Sequence, residues 1–148
     1  DPIPSGNALA MAKVSAASST PICTGELLNT RYEFRELLEN QAADIIMPDI
    51  ARTGGVLEMK KIAALADTYY IPIAPHNMVG PIATMASAHL CGCVPNFLIL
   101  EFQLGDVEWR DKLLDKPVPI VDGCIELPTE PGIGFELNRK ELKKHLVE

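Results

Sequence analysis

Four short apolar runs punctuate the chain, and each meets a polar residue. They are TPICTGE closing at Glu26, ADIIMPD closing at Asp49, YIPIAPH closing at His76, and NFLILEF carrying Glu101. Each is rich in Ile, Leu, Phe or Cys and lacks strict apolar/polar alternation, which predicts short parallel strands covered on both faces. Between them, apolar positions recur at helical spacing. Thr30 with Glu33 reads as a capping box before Phe34, Leu37 and Leu38. Gly54 and Gly55 open a stripe of Val56, Met59, Ile62, Ala63, Ala66 and Tyr69. Pro81 suits a first helical turn ahead of Ile82, Met85, Ala86, His89, Leu90 and Cys93. A weaker helix, Asn7 to Ser19, precedes the first strand.

A strand, loop and helix thus recur about every 25 residues, a spacing that predicts helix-linked parallel strands. An open doubly wound sheet and part of a (β/α)8 barrel both fit. A whole barrel takes roughly 250 residues, so four units amount to half of one. Beyond Leu114 the pattern changes to two short strand-like pieces, turns rich in Pro and Gly, and a final helix from about Asn138. This tail reads as a small lobe or cap.

Composition narrows the function. The 148 residues allow one domain with a core, and the net charge of -7 leaves no broad basic surface for nucleic acid. No apolar run is long enough to span a membrane, and no signal core follows a basic start, so a cytoplasmic protein is expected. Cys23, Cys91, Cys93 and Cys124 match no zinc spacing and are expected as buried free thiols. The chain opens on DPIPSGN without an initiator Met, and is expected to be part of a longer protein.

Glu26, Asp49, His76 and Glu101 each stand at the C-terminal end of a different predicted strand, the rim where α/β sheets and barrels carry chemistry. One such residue is easily a cap, but a packed strand end does not call for carboxylates and an imidazole in turn. Glu26 is placed to hold a hard divalent cation. Asp49 on the strand beside His76 would fix the imidazole tautomer and raise its basicity. Glu101, buried beside other carboxylates, would donate a proton to an oxyanion. A cation, a base and an oxyanion donor suit removal of a weakly acidic proton next to a carboxylate.

CTGE at 23–26, MPDIARTGG at 47–55, PHNMVGP at 75–81, LEF at 100–102 and PGIGFELN at 131–138 together resemble the enolase superfamily. Within it they resemble the mandelate racemase branch and its sugar-acid dehydratases of the galactonate and gluconate type. The resemblance implies an α/β fold: the second half of a (β/α)8 barrel over 1–115, with 116–148 returning to an α+β capping domain. It implies that Glu26 is a ligand of Mg2+, that Asp49 and His76 form the base dyad, and that Glu101 bonds the substrate carboxylate or enolate. Arg52 and Asn77 are added as candidate substrate contacts. The implied activity is that of a hydro-lyase converting an aldonate to a 2-keto-3-deoxy acid, with a racemase or epimerase as the near alternative. The other metal ligands would fall upstream of Asp1. The stretch alone is therefore expected to be inactive, with the missing N-terminal half as its partner. A non-catalytic half-barrel with an assembly role is the second class of reading. Unpaired strand edges favour association, and a homo-oligomer is expected.

The remaining candidates read as structure. Gly54 and Gly55 lack a dinucleotide or phosphate-loop pattern. His89 lies on an apolar helix stripe, and His145 with Arg139, Lys140, Lys143 and Lys144 reads as a solvated helix end. Cys91 and Cys93 are separated by one residue on a helix and do not make a redox pair.

Overall fold

The computed structural model describes residues 1–146. In chain order it runs α1 (Ala8–Ala17), β1 (Cys23–Thr24), α2 (Arg31–Glu39), β2 (Ile45–Ile46), α3 (Ile50–Thr53), α4 (Val56–Asp67), α5 (Pro81–Cys91), a 3-10 turn (Arg110–Lys112), β3 (Ile120–Val121), β4 (Cys124–Ile125) and α6 (Arg139–Leu142). The regular strands are two residues long, yet the parallel ladder continues beyond them. Thr24 aligns with Ile46, Ile46 with Ile73, and Ile73 with Phe97, all in parallel. Backbone bonds carry it across: Met47 N–H to Thr24 at 3.0 Å, Ala74 N–H to Ile46 at 2.9 Å and Leu98 N–H to Ile73 at 2.9 Å. Four extended segments therefore lie side by side in sequence order, linked by helices, as the periodicity predicts.

Register decides which side chains are covered. Thr24, Ile46 and Ile73 are fully buried on the helix side. Ile46 and Ile73 share a core with Met11, Phe34, Leu37, Leu38, Ile62, Ala63 and Ala66, drawn from α1, α2 and α4. Their neighbours of opposite parity, Cys23, Ile45 and Met47, are only half-buried. Among the described residues the helices pack on one face of the ladder. Phe97, Leu98 and Ile99 are likewise exposed, beside an apolar groove closed by Leu104, Ile120 and Leu127.

Helix starts follow the chain chemistry with three departures. Asn7 caps α1 through a bond from Ala10 N–H at 3.0 Å, and Pro81 opens α5. Thr30 makes no side-chain cap; Glu33 instead reaches past it to the Asn29 N–H at 2.7 Å. The stripe assigned to α4 is cut short, since the helix ends at Asp67 and Val56 and Tyr69 are exposed. A short helix that the periodicity does not predict, α3, lies between Asp49 and Gly54, too brief to show a repeat.

The tail forms an antiparallel hairpin of β3 and β4 and ends in α6, capped by Asn138. All four cysteines are free as expected, but Cys93 and Cys124 are exposed and Cys23 is half-buried. Only Cys91 meets the expectation of burial, because Cys93 falls past the end of α5 and Cys124 sits in the hairpin.

Candidate active site

Asp49 and His76 face each other across adjacent parallel segments. They keep the ladder's 27-residue offset, the same as between Ile46 and Ile73. Their parity is that of Ile45 and Met47, so both side chains rise on the face away from the helices.

Asp49 is the N-cap of α3. Its Oδ1 accepts from the N–H groups of Ala51 at 2.7 Å and Arg52 at 3.3 Å, satisfying donors that a helix start leaves unpaired. Its other oxygen, Oδ2, stands 2.7 Å from His76 Nδ1. An ionised carboxylate only accepts, so Nδ1 is the donor in this bond, and in the neutral ring the lone pair falls on Nε2. The Asp49 side chain is 2% exposed and that of His76 is 12% exposed, which holds the pair rigid while the ring edge stays open.

Two carboxylates flank that open edge. Glu26 Oε2 lies 3.6 Å and Glu101 Oε2 lies 3.9 Å from Nε2, both beyond direct hydrogen-bond reach. Glu26 follows Gly25, whose φ of +121° is a conformation side chains resist and whose Cβ position is 2.8 Å from Phe34 Cε1. The turn there sets Glu26 past the end of β1. Below the mouth, the Cys23 Sγ touches Met47 Sδ at 3.4 Å. Burial pushes the Cys23 thiol pKa up, and the Glu101 carboxylate adds to the shift.

The structure brings Glu26, Asp49, His76 and Glu101 to one mouth and treats the other nominated residues differently. Glu101 is not buried; its side chain is 42% exposed. Asn77, named above as a candidate substrate contact, is bonded within the protein. It is 1% exposed, donates through its amide to the Glu101 carbonyl at 2.8 Å and places its Oδ1 3.2 Å from Thr84 Oγ1. Arg52 is exposed on α3, with no hydrogen bond or ion pair from its guanidinium among the described residues. His89 is partly buried against the Ile133 carbonyl at 3.3 Å, and His145 stacks on Trp109 with ring centroids 4.0 Å apart.

Sequence patterning does not single out Arg110. It donates to the Val79 carbonyl just after His76 and to Gln103 and Asp106 just after Glu101, tying the ends of the two segments together. Its i,i+4 pairing with Asp106 is local, but Val79 lies 31 residues away.

Among the described residues no group of three or more His, Cys, Asp or Glu side chains is placed to hold a metal ion. The Glu26 carboxylate is 34% exposed and makes no hydrogen bond among those residues. It is a free oxygen donor of the kind hard cations take, and thus one part of a site.

Helix-linked parallel strands with titratable groups gathered at their C-terminal ends define an α/β protein whose chemistry sits on that rim. The chain belongs to the enolase C-terminal domain-like family, whose model matches residues 1–141. It is 43% identical over all its 148 residues to a D-xylonate dehydratase of Haloferax volcanii, covering 36% of that protein. It is 32% identical over 138 residues to a D-galactonate dehydratase of Xanthomonas euvesicatoria, where it covers 89% of this chain and 36% of the relative.

A mandelate racemase/muconate lactonizing enzyme-like protein from Rubrobacter xylanophilus superposes with a TM-score of 0.93 at 45% identity, covering 99% of this chain and 38% of that one. An enolase from Agrobacterium radiobacter solved with bound Na and L-malate gives a TM-score of 0.90 at 33% identity, covering 97% of this chain and 40% of that one. The chain spans about a third of the length of the curated relatives it matches. No helix among the described residues is long and apolar enough to cross a membrane.

Proposed function

We propose that the chain is the base-bearing part of a longer sugar-acid dehydratase, a hydro-lyase that converts an aldonate to a 2-keto-3-deoxy acid. The observation that carries this reading is the free Nε2 of His76, set by the Asp49 bond and flanked by Glu26 and Glu101. The dehydratase names of the relatives support the same chemistry.

In this reading His76 Nε2 takes the proton at C2 of the aldonate, and Asp49 holds the ring as the imidazolium forms. The electron pair of the broken C–H bond passes into the carboxylate, giving an enediolate that Glu101 contacts by hydrogen bonding. That pair then returns to form the C2–C3 double bond as the C3 hydroxyl leaves. The leaving oxygen takes a proton from an acid outside this chain and departs as water, and the resulting enol becomes the 2-keto group. Glu26 would contribute one oxygen ligand to a Mg2+ ion, which would supply positive charge to stabilise the developing enolate.

The test is solvent exchange. The full-length protein is incubated in deuterated buffer with Mg2+ and D-xylonate, D-galactonate or D-gluconate, and exchange at C2 is followed alongside the 2-keto product. His76→Asn is expected to slow exchange by about 10³-fold, within the range for loss of a general base. Exchange at the wild-type rate would sink the assignment. The racemase name of the Rubrobacter neighbour supports a second reading, inversion at C2. The same reaction separates the two, since inversion gives exchange without a keto product.

A further inference from the structure

Asn77 directly follows the base, and all of its polar groups but the backbone carbonyl are engaged around Glu101 or its support. Its backbone N–H donates to Glu101 Oε2 at 2.8 Å, and its side-chain amide donates to the Glu101 carbonyl at 2.8 Å. Its Oδ1 lies 3.2 Å from the Thr84 hydroxyl, whose one proton is shared with the Gly80 carbonyl, also at 3.2 Å, and Thr84 is itself buried on α5. A buried amide demands partners, and this one finds them on the main chain of the residue whose carboxylate its own backbone holds. Glu101 needs such a clamp. Its side chain is 42% exposed, and among the described residues the Asn77 N–H is the one hydrogen-bond donor to its carboxylate.

We propose that Asn77, backed by Thr84, is a positioning residue that sets the Glu101 carboxylate against the base. The inference rests on the reading that Glu101 takes part in proton abstraction at His76. One short stretch, His76-Asn77, then carries both the base and the clamp on its partner, 3.9 Å apart. Without the side-chain amide, the main chain at Glu101 loses its tie to the 77–80 turn, and the carboxylate drifts from the substrate. A misplacement of about 1 Å at such a group costs on the order of 10²-fold in rate.

The experiment is a double-mutant cycle on kcat in the full-length protein, with Asn77→Ala, Glu101→Gln and both together. Asn77→Ala is expected to lower kcat by about tenfold with Glu101 present and by less than about twofold in the Glu101→Gln background, the signature of two residues acting through one contact. Equal losses in the two backgrounds would mean a general structural role and overturn the inference. So would a folded Asn77→Ala protein with wild-type kcat. Thr84→Val removes only a hydroxyl at constant shape and is carried through the same cycle, which decides the matter if Asn77→Ala does not fold. If Glu101→Gln itself leaves kcat unchanged, the place of Glu101 in the reaction falls, and this inference with it. If Glu101→Gln is impaired and the cycle is additive, the inference falls alone.

Discussion

Asp49 holds His76 and the start of α3 with one carboxylate: Oδ2 is 2.7 Å from His76 Nδ1 while Oδ1 accepts from the Ala51 N–H at 2.7 Å. The backbone bonds fix which way the carboxylate faces, and the carboxylate fixes which ring nitrogen is free. Helix capping and imidazole orientation are thus a single arrangement.

Asp49→Asn separates these two roles. Asn remains a good N-cap, so the thermal midpoint should change little, whereas an amide hydrogen turned toward Nδ1 favours the wrong tautomer. A loss of about 10³- to 10⁴-fold in kcat is expected with near-native melting. Activity close to wild type would show that the Asp49 contact does not set the tautomer.

Gly25→Ala tests the turn that presents Glu26. The added Cβ would meet Phe34 Cε1 at 2.8 Å in a backbone with φ of +121°, and Phe34 is fully buried. A destabilisation of about 1–3 kcal/mol is expected from the strain, measured by chemical denaturation. Serine should behave like alanine here, since the hydroxyl does not remove the clash.

The thiols should differ sharply in reactivity. Burial pushes the Cys91 pKa up to about 12, so at pH 8 only about one Cys91 in ten thousand is thiolate. Cys93 and Cys124 are exposed. Iodoacetamide followed by peptide mass mapping should label Cys93 and Cys124 first, and Cys91 only after denaturant. Early labelling of Cys91 in the folded chain would contradict the packing of α5.

Acid should loosen the Arg110 tie. A hydrogen bond from Arg110 is the main cause that lowers the Asp106 carboxyl from its ordinary 3.8 to about 2. Between those values the unfolded chain binds the proton more readily than the folded one, so the contribution to stability is present above about pH 4 and fades as pH falls toward 2. Asp106→Asn should flatten this part of the acid-unfolding curve. An unchanged slope would remove the pair from the acid response.

Much of the site is legible along the chain because strand ends are local. Glu26, Asp49, His76 and Glu101 each follow an apolar run, and parallel strands in sequence order bring successive ends together without long-range information. Asn77 shows why adjacency misleads: it looks like a second polar residue at the mouth, but alternation turns its side chain inward. Arg110 shows a local partner in Asp106 at i−4 but gives no sign of Val79, which lies 31 residues away and is reached only after the chain folds.

The alternation of the four extended segments with helices, the helices beginning near Asn7 and Asn138, and the gathering of acids around one histidine were determined by apolar periodicity and local chain chemistry. Tertiary structure decided which face of the ladder is covered, how exposed Glu101 is, which nitrogen of His76 is free, and that Asn77 supports Glu101. Those properties depend on register and on contacts between segments far apart in sequence, where a one-residue change of parity reverses the direction of a side chain.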